Sequence, residues 1–72
     1  MSTEKIQAIL FDVKKFTPTQ ARTYLKRHKH KAIKRVHKTN DFYRYRLIDP
    51  IENGKYITKT IEDGVEYIIV TD

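Results

Sequence analysis

Apolar positions recur along this chain with two different periods. In KIQAILFD, residues 5 to 12, they are nearly continuous, rich in bulky and branched side chains and bounded by charge, which predicts a strand covered on both faces. The period then changes. Ala21, Tyr24, Leu25 and His28 follow the three-and-four spacing of one helix face, while Arg22, Lys26, Arg27 and Lys29 fall elsewhere on the cylinder. Just upstream, Thr17 suits the N-cap, Pro18 the first helical position where its missing N–H costs nothing, and Gln20 is placed to close a capping box. These signals predict a helix from Pro18 to Lys29, with an apolar stripe for a sheet and a basic face turned outward.

Strand-like runs return in IKRVHKT (residues 33 to 39) and FYRYRLI (42 to 48), and Asn40 and Asp41 between them predict a two-residue hairpin because both tolerate positive φ. Asp63 and Gly64 mark a second hairpin between YITKTI and VEYIIVT, and DPIENG, residues 49 to 54, reads as a connection. The resulting order, β-α-β-β-β-β, describes a single α+β domain over residues 1–72, with one helix packed on an antiparallel sheet. A chain of this size buries only about 60% of the surface that its unfolded form exposes, so a thin core is expected.

Composition narrows the chemistry. The absence of cysteine removes disulfides, zinc-thiolate sites and thiol nucleophiles together, and a reducing, intracellular setting is the expectation. No apolar run exceeds the four residues of Tyr67 to Val70, far short of the roughly 20 residues of a membrane span, and no signal-peptide pattern is read at the N-terminus, so no membrane partner is expected. Charge is segregated along the chain. From Lys14 to Arg46 stand twelve lysines and arginines against the single acid Asp41, whereas the remaining residues are acidic in balance. Residues 24 to 38, YLKRHKHKAIKRVHK, hold seven lysines and arginines with three histidines and no acid. Such a surface has a direction, and suits an anionic partner.

The hairpin gives that charge a geometry. With Asn40 and Asp41 in the turn, Lys38 lies opposite Tyr43, His37 opposite Arg44, Val36 opposite Tyr45 and Arg35 opposite Arg46. One face then carries Val36, Tyr43, Tyr45 and Leu47, and the other Arg35, His37, Phe42, Arg44 and Arg46. Like charges directly opposite are unfavourable, and a phosphate between Arg35 and Arg46 would relieve them, because the planar guanidinium grips phosphate with two hydrogen bonds and stacks on bases. Phe42 either adds a flat stacking surface or folds over the edge of the core. For the helix lysines, solvation alone is an equal explanation.

The three histidines do not predict a metal centre, since the local charge repels cations and neither carboxylate nor thiol stands nearby in sequence. His28, on the apolar stripe, is expected to be a half-buried packing residue, His30 to be exposed near the helix end, and His37 to join the basic face. Nor is catalysis expected. Most of the acids fall in turns and at the chain ends, Ser2 is the only serine, and Gly54 and Gly64 are each assigned to turns, so no phosphate-cradling glycine loop is formed. No cofactor is expected either.

Phe16, the helix positions Ala21, Tyr24, Leu25 and His28, the run FYRYRLIDP and the closing GVEYIIV together resemble a short α+β domain found in proteins of tailed phages and large double-stranded DNA viruses. The resemblance spans about residues 6 to 70, although the family pattern places tryptophan where Tyr24 stands here. It implies the fold and a virion or infected-cell setting, and no site. The functional expectation is therefore a small non-enzymatic nucleic-acid-binding protein, for DNA or RNA, using Arg22, Lys26, Arg27, Lys29, Lys31, Lys34, Arg35, Lys38, Arg44 and Arg46 on phosphates, with His37 and Phe42 in support. The alternative is a structural or adaptor module, monomeric or weakly self-associating, that docks an acidic protein partner and offers the final strand, VEYIIV, as a pairing edge.

Overall fold

The computed structural model describes residues 4–33 and 36–71. Strand β1 (Glu4–Asp12) is followed by helix α1 (Pro18–Arg27) and four further strands, β2 (His37–Lys38), β3 (Phe42–Arg46), β4 (Lys55–Glu62) and β5 (Val65–Thr71). All pairings are antiparallel, and the sheet order is β2-β3-β1-β5-β4. The expected α+β architecture and element order are thus found. The nearly continuous apolar run of β1 has its reason here, because this strand lies in the middle of the sheet with β3 on one side and β5 on the other.

Helix α1 covers one face. Its Ala21 and Leu25 pack with Ile9, Phe11, Tyr45, Val65 and Tyr67, and the Phe11 ring meets Tyr24 and Tyr45 edge-on at 5.4 and 5.6 Å. Its start is built as the sequence predicts: Gln20 N donates to Thr17 Oγ1 at 3.2 Å and Thr17 N to Gln20 Oε1 at 2.9 Å, with Pro18 in the first turn. Its end comes two residues before the predicted one. Lys29 adopts φ 59°, its N–H donates to Lys26 O and the N–H of His30 to Leu25 O, the paired bonds of a Schellman motif, which turns the chain back on itself.

That reversal corrects the histidine expectations. His28 is exposed, its ring centroid 4.2 Å from that of Tyr24, whereas His30 is half-buried with its ring edge-on to Tyr67. A second correction concerns the sheet edge. VEYIIV belongs to β5, which is paired on both sides, and the outer strand on that side is β4. A third concerns the extent of the first hairpin. The predicted register holds, His37 opposite Arg44 and Lys38 opposite Tyr43, yet β2 is only two residues long. Neither Asn40 nor Asp41 takes positive φ. The turn is held instead by Thr39, whose hydroxyl accepts from the N–H of Phe42 at 3.0 Å.

The other face of the sheet carries no helix. A bulge in β1 places Ile6 opposite Ile69 but Ala8 opposite Ile68, so Gln7 is the extra residue and its side chain turns toward this face. Gln7 is 1% exposed. Its Nε2 donates to Ile48 O at 3.1 Å, its Oε1 accepts from Arg44 Nη2 at 3.3 Å, and its carbonyl accepts from the N–H of Leu47 at 2.8 Å. These bonds tie the connection after β3 to the sheet. Further along, Gly54 passes so close to Val70 that an added Cβ would lie 2.6 Å from Val70 Cγ2. The connection therefore roofs one end of the face and leaves the other end open.

Candidate nucleic-acid interface

Strand alternation divides β3 between the two faces. Tyr43, Tyr45 and Leu47 pack on the core beneath the helix, and Phe42, Arg44 and Arg46 point to the opposite face. His37, across from Arg44, shares that side, and Leu10 of β1 flanks Arg44 from the other strand. Phe42, Arg44 and Arg46 are all half-buried. Arg44 is also a structural residue through its bond to Gln7, and its buried Nε has no hydrogen-bond partner among the described residues. Beside it, Gln7, Pro50, Tyr56, Thr58 and Ile68 line a cleft of about 380 Å³.

The helix cations stand on the other side of the sheet, so the predicted residues do not form one flat patch. Arg22 and Lys26 face a groove of about 410 Å³ between α1 and the β2–β3 side, together with Lys31, Leu25, Ala32, Val36, Tyr45 and His30. Arg27 diverges from them, toward a cleft shared with Lys15, Phe16, Tyr24, His28 and Glu62. Lys29 is exposed at the helix end. His37 and Lys38 are exposed on β2, the outer strand, where Lys38 Nζ lies 5.9 Å from the Tyr43 ring centroid. Lys34 and Arg35, and with them the proposed facing of Arg35 and Arg46, lie outside the described residues. Basic side chains are thus found on the helix side, on the outer strand and on the open face, around one edge of the sheet. Glu62 and Asp63 stand at the turn joining the opposite outer strand to its neighbour, with Asp63 paired to Lys15.

Three tyrosine hydroxyls beneath the helix fall into two kinds. Tyr24 Oη and Tyr67 Oη are 3.0 Å apart, and burial followed by this hydrogen bond pushes the Tyr24 phenol well above its ordinary value. Tyr45 is only 4% exposed, and its hydroxyl has no partner among the described residues. Burial raises its phenol too, partly opposed by the charge of Arg22, so both phenols keep their protons at neutral pH. Sequence reasoning placed Tyr45 on one hairpin face with Val36, Tyr43 and Leu47 and missed the hydroxyl. The available signal was the choice of tyrosine over phenylalanine at an inward position, since a buried O–H asks for a partner.

Among the described residues no group of three histidine or acidic side chains converges as metal ligands, and no helix is long and apolar enough to cross a membrane. No protein-family model, curated protein sequence or solved structure matches the chain.

Proposed function

We propose that this chain is a small, non-enzymatic nucleic-acid-binding module that holds phosphates, without reading base sequence, around the β2–β3 edge of its sheet. One observation carries the reading: Arg22, Lys26 and Lys31 on the helix side, His37 and Lys38 on the outer strand, and Arg46 on the open face all surround the same edge. A cationic rim on a narrow edge suits a polyanion that passes around it, and gains affinity mainly by releasing counterions. Phe42, on the open face beside the arginines, supplies a flat apolar surface for an unpaired base. The viral or phage setting rests on the resemblance described above. Replacing Lys38 and Arg46 by glutamine is expected to weaken oligonucleotide binding several-fold, while the same change at Lys55 and Lys59 on the far strand leaves it nearly intact. Equal effects from the two pairs would place the interface elsewhere.

The adaptor reading also has an observation in its favour. Strand β4 is an outer strand exposed along its whole length, with Tyr56, Ile57 and Ile61 at 44%, 52% and 42% exposure. Lys55 and Lys59 on the same strand, and the irregularity between Thr60 and Glu62, are devices that discourage strand addition. The balance therefore favours the basic edge as the working surface.

A further inference from the structure

The groove between α1 and β3 combines two independent features. Arg22, Lys26 and Lys31 surround it, and Leu25, Ala32 and Tyr45 form apolar walls. Tyr45, whose hydroxyl is buried and without a partner among the described residues, belongs to the same lining. A buried hydroxyl without an acceptor is unfavourable, and a residue of the same shape without the oxygen would pack there equally well. The oxygen calls for an acceptor, and the described residues supply none. With three cationic side chains around it, that acceptor is an anion, and an oxyanion with several oxygens can take the Tyr45 proton donor, the Arg22 fork and a lysine at once.

We infer that this groove is a phosphate pocket, in which the Tyr45 hydroxyl and Arg22 hold one phosphate group while Lys26 and Lys31 neutralise it. The inference deepens the nucleic-acid reading and rests on it for the source of the phosphate, which is either a backbone diester or a terminal monoester. Lysines on an open surface supply charge but fix no position. The Tyr45 hydroxyl, held by core packing, is the element that gives the pocket a geometry.

Tyr45→Phe and Arg22→Gln test it, the second being a change on the exposed helix surface that leaves the core untouched. Inorganic phosphate is titrated into each protein while backbone amide signals are followed by NMR. The same proteins are titrated with 5′-phosphorylated and 5′-hydroxyl single-stranded oligonucleotides of one sequence. In the unchanged protein, phosphate should shift the signals of Ala32 and Tyr45 saturably. Tyr45→Phe should remain folded, lose most of that response and bind oligonucleotide about five- to ten-fold more weakly, and Arg22→Gln should do likewise. A preference for the 5′-phosphorylated strand that Tyr45→Phe abolishes assigns the pocket to a terminal monoester, and equal losses on both strands assign it to a backbone diester. If Tyr45→Phe binds phosphate and oligonucleotide as the unchanged protein does, the pocket is refuted while the nucleic-acid reading stands. If phosphate binds through Tyr45 but no oligonucleotide does, the pocket stands as a site for small phosphates and the nucleic-acid reading falls.

Discussion

Replacing Gln7 by leucine removes a buried amide while nearly conserving volume, so the consequence is chiefly that of lost hydrogen bonds. Gln7 holds two partners through its side chain, the carbonyl of Ile48 and the guanidinium of Arg44. Leaving a buried polar group without its partner costs about 1–3 kcal/mol, and more for a charged one. Ile48 and Arg44 are each half-buried, so water can reach them in part and the low end of that range applies to both. A loss of about 2–3 kcal/mol is offset by roughly 1 kcal/mol from burying the more apolar side chain, for a net destabilisation of about 1–2 kcal/mol. At 0.05–0.15 kcal/mol per residue, the whole domain is worth on the order of 4–11 kcal/mol, so this is a substantial fraction. Urea unfolding followed by circular dichroism reads it directly. With a slope near 1 kcal/mol/M, the midpoint should fall by about 1–2 M at unchanged slope. A midpoint that stays or rises would mean that Gln7 does not anchor the 47–54 connection, and that the roof over this end of the sheet is held by other contacts.

Thr17→Ala should destabilise the fold by about 1 kcal/mol, and a double-mutant cycle with Gln20→Ala should show coupling, since each residue bonds the other's backbone; additive losses would contradict the capping box. Gly54→Ala should cost about 1–3 kcal/mol, because the new methyl meets fully buried Val70, and a neutral result in thermal unfolding would show that the connection can lift away. Burial, and then the neighbouring charge of His28, lower the pKa of His30 in the folded state, so the unfolded chain binds that proton more readily. Its contribution is complete above the ordinary histidine value and is lost as pH falls below it, so the unfolding midpoint should drop on acidification through the histidine range, less so in His30→Gln; identical pH profiles would contradict this placement of His30.

What was legible in the sequence was what local chemistry decides. Thr17, Pro18 and Gln20 specify the helix start within four residues, and the pairing of His37 with Arg44 follows from the position of the turn and the alternation on either side of it. The helix end was not legible, because Lys29 stands at a left-handed position usually occupied by glycine, and the reversal there exchanges the expected environments of His28 and His30. Sheet order depends on contacts distant in sequence. Nothing local in VEYIIV distinguishes an inner strand from an outer one, and nothing in KIQAILFD marks Gln7 as the residue of a bulge. The separation of the helix cations from Arg44 and Arg46 by the sheet also follows only from the three-dimensional arrangement. Spacing alone could place the two basic sets on their elements, but not on which side of the sheet the helix would lie.

The proposal that the β2–β3 edge holds nucleic-acid phosphates is tested most directly by the salt dependence of binding. Fluorescence anisotropy of a labelled DNA duplex, titrated with the folded protein at a series of monovalent salt concentrations, gives the slope of log affinity against log salt. The cations around the edge can supply four to six phosphate contacts, for which the expected slope is roughly −4 to −5. Saturable binding at low salt with that slope, insensitive to base sequence, is the predicted result. No binding at the lowest salt by protein shown to be folded, or binding that barely responds to salt, would contradict it.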